Sequence, residues 1–254
     1  MFRSALAILT LALGSVAANA ATMVLYDGSL NTTPDQQKWN YQAMTTPPFG
    51  IPSATQSASG GMTTLDTTPA TSDRAGYSNN PSDPNWPTLD RSGDGYTIRF
   101  KVRIQSETHS SNDRAGFSAI VLSSDKKGLE LAFWGNEIWA QHDDPNQYFT
   151  HGEGVALDSN ALIEYDLAMK GGTYWLLAGG TVKLTGSVRD YTGYTGPIDP
   201  YETPSFLFFG DDTSSAAARA DIAKIEFLDY ATPEPASLAL LAAGGLALIR
   251  RRRA

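Results

Sequence analysis

The stretch GLELAFWGNEIWAQHDD, residues 128–144, gathers the side chains best suited to chemistry in this chain. Gly135-Asn136 is a two-residue hairpin signal. That turn sets Trp134 opposite Glu137, Phe133 opposite Ile138, Ala132 opposite Trp139 and Glu130 opposite Gln141. One sheet face then carries Leu129, Leu131, Phe133, Ile138 and Ala140, and its apolar character predicts core. The other face carries Glu130, Ala132, Trp134, Glu137, Trp139 and Gln141. Aromatic rings stack on the apolar C–H faces of sugars while carboxylates and amides take the hydroxyls. Trp134, Glu137, Trp139 and Gln141 are therefore candidate ligand-binding residues on an open face. Under a covering loop the same tryptophans would only pack.

Two glutamates raise the question of glycoside hydrolysis. Retaining enzymes hold their carboxyls about 5–5.5 Å apart and inverting ones about 6.5–9.5 Å. Four residues of strand separate Glu130 from Glu137, about 13 Å at roughly 3.4 Å per residue. The pair is too far apart, and three acids spaced by two along one strand are absent. The histidines, His109, His142 and His151, fit no zinc spacing. There is no G-x-S-x-G elbow, no phosphate-binding glycine loop and no cysteine. No catalytic residue is assigned. Asp211 and Asp212, with Asp143-Asp144, offer oxygen ligands of the kind calcium takes from loops. Asp-rich turn chemistry accounts for the same pairs without an ion. Calcium is the one cofactor these loops suggest.

These side chains need a scaffold of strands. In residues 96–104, Tyr96, Ile98, Phe100, Val102 and Ile104 alternate with Thr97, Arg99, Lys101 and Arg103. Period two predicts a half-buried strand, its basic residues on the solvated side. Further strands are predicted at 23–26, 38–43, 62–66, 116–123, 129–134, 137–141, 147–151, 163–169, 173–178, 182–189, 205–209 and 222–228. The segment TTPPFGIPSATQSASGG reads as a long loop, and 214–220 as a helical turn or loop. About a dozen strands with short turns predict an all-β chain, two packed antiparallel sheets or a barrel.

The late segments YDLAMKGGTYWLLAGGTVKLTGSVRDY and FLFFGDDTSSAAARADIAKIEF resemble the closing strands of concanavalin A-like sandwiches of the laminin-G or pentraxin kind. The resemblance spans residues 94–229. It implies a two-sheet antiparallel jelly roll, carbohydrate or matrix recognition, and a calcium at the rim.

The two ends read as addresses. MFRSALAILTLALGSVAANA has a positive start, a short apolar run and an A-x-A site, the pattern of a signal peptide cut after Ala20. At the other end, TPEPASLALLAAGGLALIRRRRA places two prolines before fourteen mostly apolar residues. A helix of that length is about 21 Å, enough for a thinned bilayer with Arg250, Arg251, Arg252 and Arg253 held at the cytoplasmic face. Pro233-Glu234-Pro235, the apolar stub and the arginine tail resemble the PEP-CTERM sorting signal. The resemblance implies an exosortase-type membrane protease as partner, an inner-membrane-anchored intermediate through a single membrane helix, and a final place at the cell surface or in extracellular polysaccharide.

The expected organisation is a signal peptide at 1–20, a β-sandwich at 21–231 and the sorting signal at 232–254. The sandwich body carries 14 basic against 26 acidic residues. Such a surface repels nucleic acid, which needs a basic footprint. The expected function is a non-catalytic binding or structural module, carbohydrate-directed, with a polysaccharide hydrolase as the alternative.

Overall fold

The alternating segment at 96 becomes the central strand of one sheet. In the computed structural model, residues 21–45, 50–196 and 198–231 are described. The segments expected to be a signal peptide and a membrane helix, and the sorting residues from Pro233 to Arg253, lie outside the described residues.

Fifteen strands are present among the described residues. In chain order they are β1 (Thr22–Asp27), β2 (Asn40–Thr45), β3 (Thr55–Ser59), β4 (Met62–Asp66), β5 (Asp73–Ser78), β6 (Tyr96–His109), β7 (Ser118–Leu122) and β8 (Gly128–Phe133). Then come β9 (Glu137–Gln141), β10 (His151–Ala156), β11 (Ile163–Lys170), β12 (Thr173–Ala178), β13 (Thr181–Ser187), β14 (Phe206–Asp211) and β15 (Ala216–Leu228). Eight of them form one sheet, ordered β13-β12-β11-β6-β15-β4-β3 with β1 on β15; seven form the other, ordered β10-β9-β8-β7-β14-β5-β2. Every pairing is antiparallel. The all-β sandwich expected from the sequence is what forms.

The core lies between the sheets. Ile98, Phe100, Val102 and Ile104 from β6 are fully buried in it with Leu129, Leu131, Phe133, Ile138 and Ala140 from the β8–β9 hairpin. Phe100 joins the layers. Its ring lies 6.1 Å from Phe133 and 5.3 Å from Phe209 of the seven-stranded sheet, and 5.4 Å from Tyr165 beside it. On the other face of β6, Arg99, Lys101 and Arg103 are partly exposed, as the alternation predicted, while Thr97 is buried under the Tyr230 carbonyl that its hydroxyl meets at 2.8 Å. Arg99 meets Asp166 at 2.6 Å and Arg103 meets Asp221 at 2.6 Å.

The structure corrects four segments. Residues 216–220, read as helix or loop, begin β15. Gly116 packs so close that a Cβ there would sit 2.1 Å from the Ala217 carbonyl carbon. The alanine run serves that close approach, not helix propensity. The strand placed at 147–151 starts only at His151, because Asp144 folds the preceding residues into an Asx turn through the Asn146 N–H. Two strands were missed. β3 is a polar strand at one sheet edge, joined to β4 through Gly60 and Gly61 with φ of 61° and 81°. Such a pair is what a tight hairpin needs. β5, DRAGYS, carries Arg74, Gly76 and Ser78 on its outward face, so it shows little apolar alternation.

Candidate ligand-binding site

The β8–β9 hairpin has the register that Gly135-Asn136 predicts: Phe133 pairs Ile138, Ala132 pairs Trp139 and Leu131 pairs Ala140. Its inner residues join the core. Its outer residues divide into two groups, and only one of them faces a cavity.

The first group is roofed. Trp139 is completely buried with Ala115 and Ala132. His151 stacks on Trp139 with ring centroids 4.2 Å apart, and His109 stacks on Trp134 at 4.2 Å. The Trp134 indole N–H donates to the Arg114 carbonyl at 2.8 Å. Glu137 meets His151 Nε2 at 3.2 Å. Of the two readings of this face, open or packed under a loop, Trp139 follows the second and is closed off, while Trp134 and Glu137 stay partly exposed beside it. The cause is the chain at 109–115 with His151, which the hairpin alone could not reveal.

The second group, Glu130 and Gln141, opens into a cavity of about 470 Å³ on the outer face of the seven-stranded sheet. Strand parity builds its floor. Gln42 and Met44 come from β2, Arg74, Gly76 and Ser78 from β5, Phe206 and Phe208 from β14, and Ile120 from β7. The residues between them, such as Ala75, Tyr77, Leu207 and Phe209, point the other way into the core. The wall is Phe149, Tyr194 and Tyr201, carried on two loops and backed by Tyr148 and Tyr191. Phe149 has φ 62°, costly for a bulky side chain, and stacks on Tyr201 at 5.0 Å and Tyr191 at 5.6 Å. The packing that fixes this backbone is the packing that fixes the wall.

At the base of the cavity Glu130 meets Asp212. Glu130 is 1% exposed. Its Oε2 accepts from the Tyr201 hydroxyl at 2.5 Å, and its Oε1 accepts from Gln141 Nε2 at 3.0 Å. Burial, then the neighbouring Asp212 charge, push the Glu130 carboxyl well above the ordinary range. Burial also raises Asp212, against hydrogen bonds from Glu130 and Ser118. The larger rise is on Glu130, where the Asp212 charge adds to burial. Tyr201 stays a phenol, its ionisation opposed by burial and then by Glu130. Two buried polar atoms in the cavity have no hydrogen-bond partner, Arg74 Nε and Gln141 Oε1. Orphans of this kind cost free energy unless a ligand or water meets them.

Asp211 and Asp212, the residues offered to calcium, are otherwise engaged. Asp211 accepts from the Thr67 hydroxyl at 2.6 Å and the Thr213 N–H at 3.1 Å, and burial raises its carboxyl well above the ordinary range. Asp143 accepts from the Asp190 N–H at 2.8 Å. Among the described residues, no group of three or more His, Cys, Asp or Glu side chains is arranged to hold a metal ion.

The sequence missed the Glu130–Asp212 pair and Arg74. Eighty-two positions separate the two acids. They meet because β7 lies between β8 and β14, with Ser118 paired to Ala132 on one side and Gly210 on the other. No local spacing encodes that.

Residues 231–253 match the PEP-CTERM protein-sorting motif. Such a motif marks a chain for export through the membrane to the cell surface, and exosortase, a membrane protease, recognises such signals in general. No curated protein matches the chain in sequence. Among solved structures, a carbohydrate esterase from Shiga toxin-encoding bacteriophage phi24B is similar at 11% identity, over 82% of this chain and 99% of that one, with a TM-score of 0.53. The binding domain of botulinum neurotoxin DC in complex with rat synaptotagmin II aligns at 11% identity over 84% of this chain and 49% of that one, TM-score 0.48. A botulinum neurotoxin type C structure, from work on cell entry through two ganglioside molecules, aligns at 10% over 87% and 51%, TM-score 0.48. The chain spans about half the length of these neurotoxin structures. At such identities the likeness shows the β-sandwich fold alone.

Proposed function

We propose that this chain, carrying a PEP-CTERM motif for export, is a non-catalytic saccharide-binding module of the cell surface or extracellular polysaccharide. The cavity over the seven-stranded sheet is its binding site. The observation that carries the reading is the cavity's composition: an aromatic wall beside a floor with an unmet donor on Arg74 and an unmet acceptor on Gln141. Rings cover apolar sugar faces, and the two orphans are satisfied by ring oxygens and hydroxyls. Export then runs through the inner membrane, with an exosortase-type protease acting near Pro233-Glu234-Pro235. The mass of the surface form against that of the full chain reads whether the tail is removed.

Binding without turnover is favoured by the carboxyl geometry. Glu130 is held by Tyr201 and Gln141 and coupled to Asp212, so it is not free to flank an anomeric carbon as one of a hydrolytic pair does. One observation favours the second reading, a polysaccharide hydrolase: burial and the Asp212 charge raise the Glu130 carboxyl inside a cavity, the direction a general acid needs. A glycan array of the full-length protein in detergent, with and without calcium, separates the two. Retention of intact glycan is the expected result. Released sugar would favour the hydrolase, and no retention on any glycan would overturn both. A calcium requirement would return Asp211 and Asp212 to a metal role.

A further inference from the structure

We propose that Arg74 takes the carboxylate of a uronic-acid residue, so that the saccharide class of this cavity is acidic. The inference rests on the binding reading above and names its ligand. Arg74 lies on the outward face of β5, paired with Met44 of the edge strand β2. Its Nε is buried and makes no hydrogen bond, in a cavity large enough for a sugar ring. A guanidinium offers two parallel N–H donors through Nε and one Nη, and a planar carboxylate accepts both. A neutral hydroxyl would accept only one of the two.

The second orphan is independent of the first. Gln141 is 3% exposed, its Nε2 is spent on Glu130, and its Oε1 is unmet. It calls for a donor, which the hydroxyls of the same sugar supply. An acidic ligand therefore satisfies both ends, with the carboxylate at Arg74 and a hydroxyl at Gln141.

The charge around the cavity does not oppose this. Arg74 and Arg114 stand against Asp212 and the exposed rim residue Asp199. Glu130 and Asp211 also line it, and burial favours their neutral forms. The cavity is thus close to balanced within an acidic body. Repulsion from the rest of the surface is screened beyond roughly 8 Å at physiological salt, whereas a desolvated contact to Arg74 is screened much less.

Full-length protein in detergent is titrated, at physiological salt, with hexamers of galacturonate, mannuronate and glucuronate, each beside its carboxyl-reduced counterpart. At least one uronate hexamer is expected to bind tenfold or more tightly than its reduced form. Arg74→Gln is expected to bring the two within twofold, and Arg74→Lys, which keeps the charge and loses the fork, to fall between. An unfolding midpoint near that of the wild type confirms that each variant is folded. Equal binding of both forms, or a preference that survives in Arg74→Gln, would overturn the inference. If the forms bind equally and Tyr194→Ala weakens both, the cavity reading stands and only the acidic class fails. If no hexamer binds, the acidic class fails and the glycan array above decides the binding reading; if binding ignores Tyr194→Ala, both readings fail.

Discussion

Glu130→Ala is expected to lower the free energy of unfolding by about 3–5 kcal/mol, because each buried group left without its hydrogen-bond partner costs about 1–3 kcal/mol. The alanine strips Tyr201, Gln141 and Asp212 of a shared partner at once. Glu130→Gln is expected to be far milder, because it keeps the shape and an uncharged hydrogen-bonding group. The two variants also differ from the wild type in pH dependence. The Glu130 carboxyl is raised in the folded state above its unfolded value of about 4.3. Its contribution is fully present below that unfolded value and is lost as pH rises through the folded one. Asp211 and Asp212 are shifted the same way. The wild type should therefore lose stability on going from pH 5 to pH 8, and Glu130→Gln should lose less. Asp27 and Asp190, lowered chiefly by side-chain hydrogen bonds from Ser29 and Thr192, act in the opposite sense only as pH falls below about 3.9. Urea unfolding at pH 5 and pH 8 reads all of this. A Glu130→Gln curve parallel to the wild type would contradict a buried, proton-holding Glu130.

Phe100→Ala should cost about 3–5 kcal/mol for a different reason, a cavity where the two sheets meet. Phe100 is fully buried, and its neighbours Phe133, Phe209 and Tyr165 are rings held by three different strands. They cannot all collapse into the space together. Phe100→Leu keeps most of the volume and should cost under about 1.5 kcal/mol. Denaturant midpoints at fixed pH compare the two. A loss below about 1 kcal/mol for the alanine variant would mean that the sheets do not depend on this contact.

Much of the scaffold was readable because its signals are local. The alternation of Tyr96, Ile98, Phe100, Val102 and Ile104 specified both the strand and its buried face. Gly135-Asn136 set the register of β8 against β9 residue by residue, including Glu130 beside Gln141. The binding face was harder. Trp134 and Trp139 look like a platform until His109 and His151 stack on them, and those histidines arrive from β6 and β10. Arg74 sits in DRAGYS, a strand whose outward face is polar because it lines a cavity, so it lacked the pattern that marks strands. Asp212 reaches Glu130 only through the order β8-β7-β14. Pairing between distant strands made the cavity, and a single sequence does not display such pairing.

Nuclear magnetic resonance of the full-length protein in detergent, titrated with the glycan that binds it best, locates the occupied surface. Perturbations concentrated at Gln42, Arg74, Tyr194 and Tyr201, with Trp134 and Glu137 unmoved, are the predicted result. Perturbations centred on Trp134 and Glu137, or scattered outside the cavity over the seven-stranded sheet, would contradict the assignment of that cavity as the binding site.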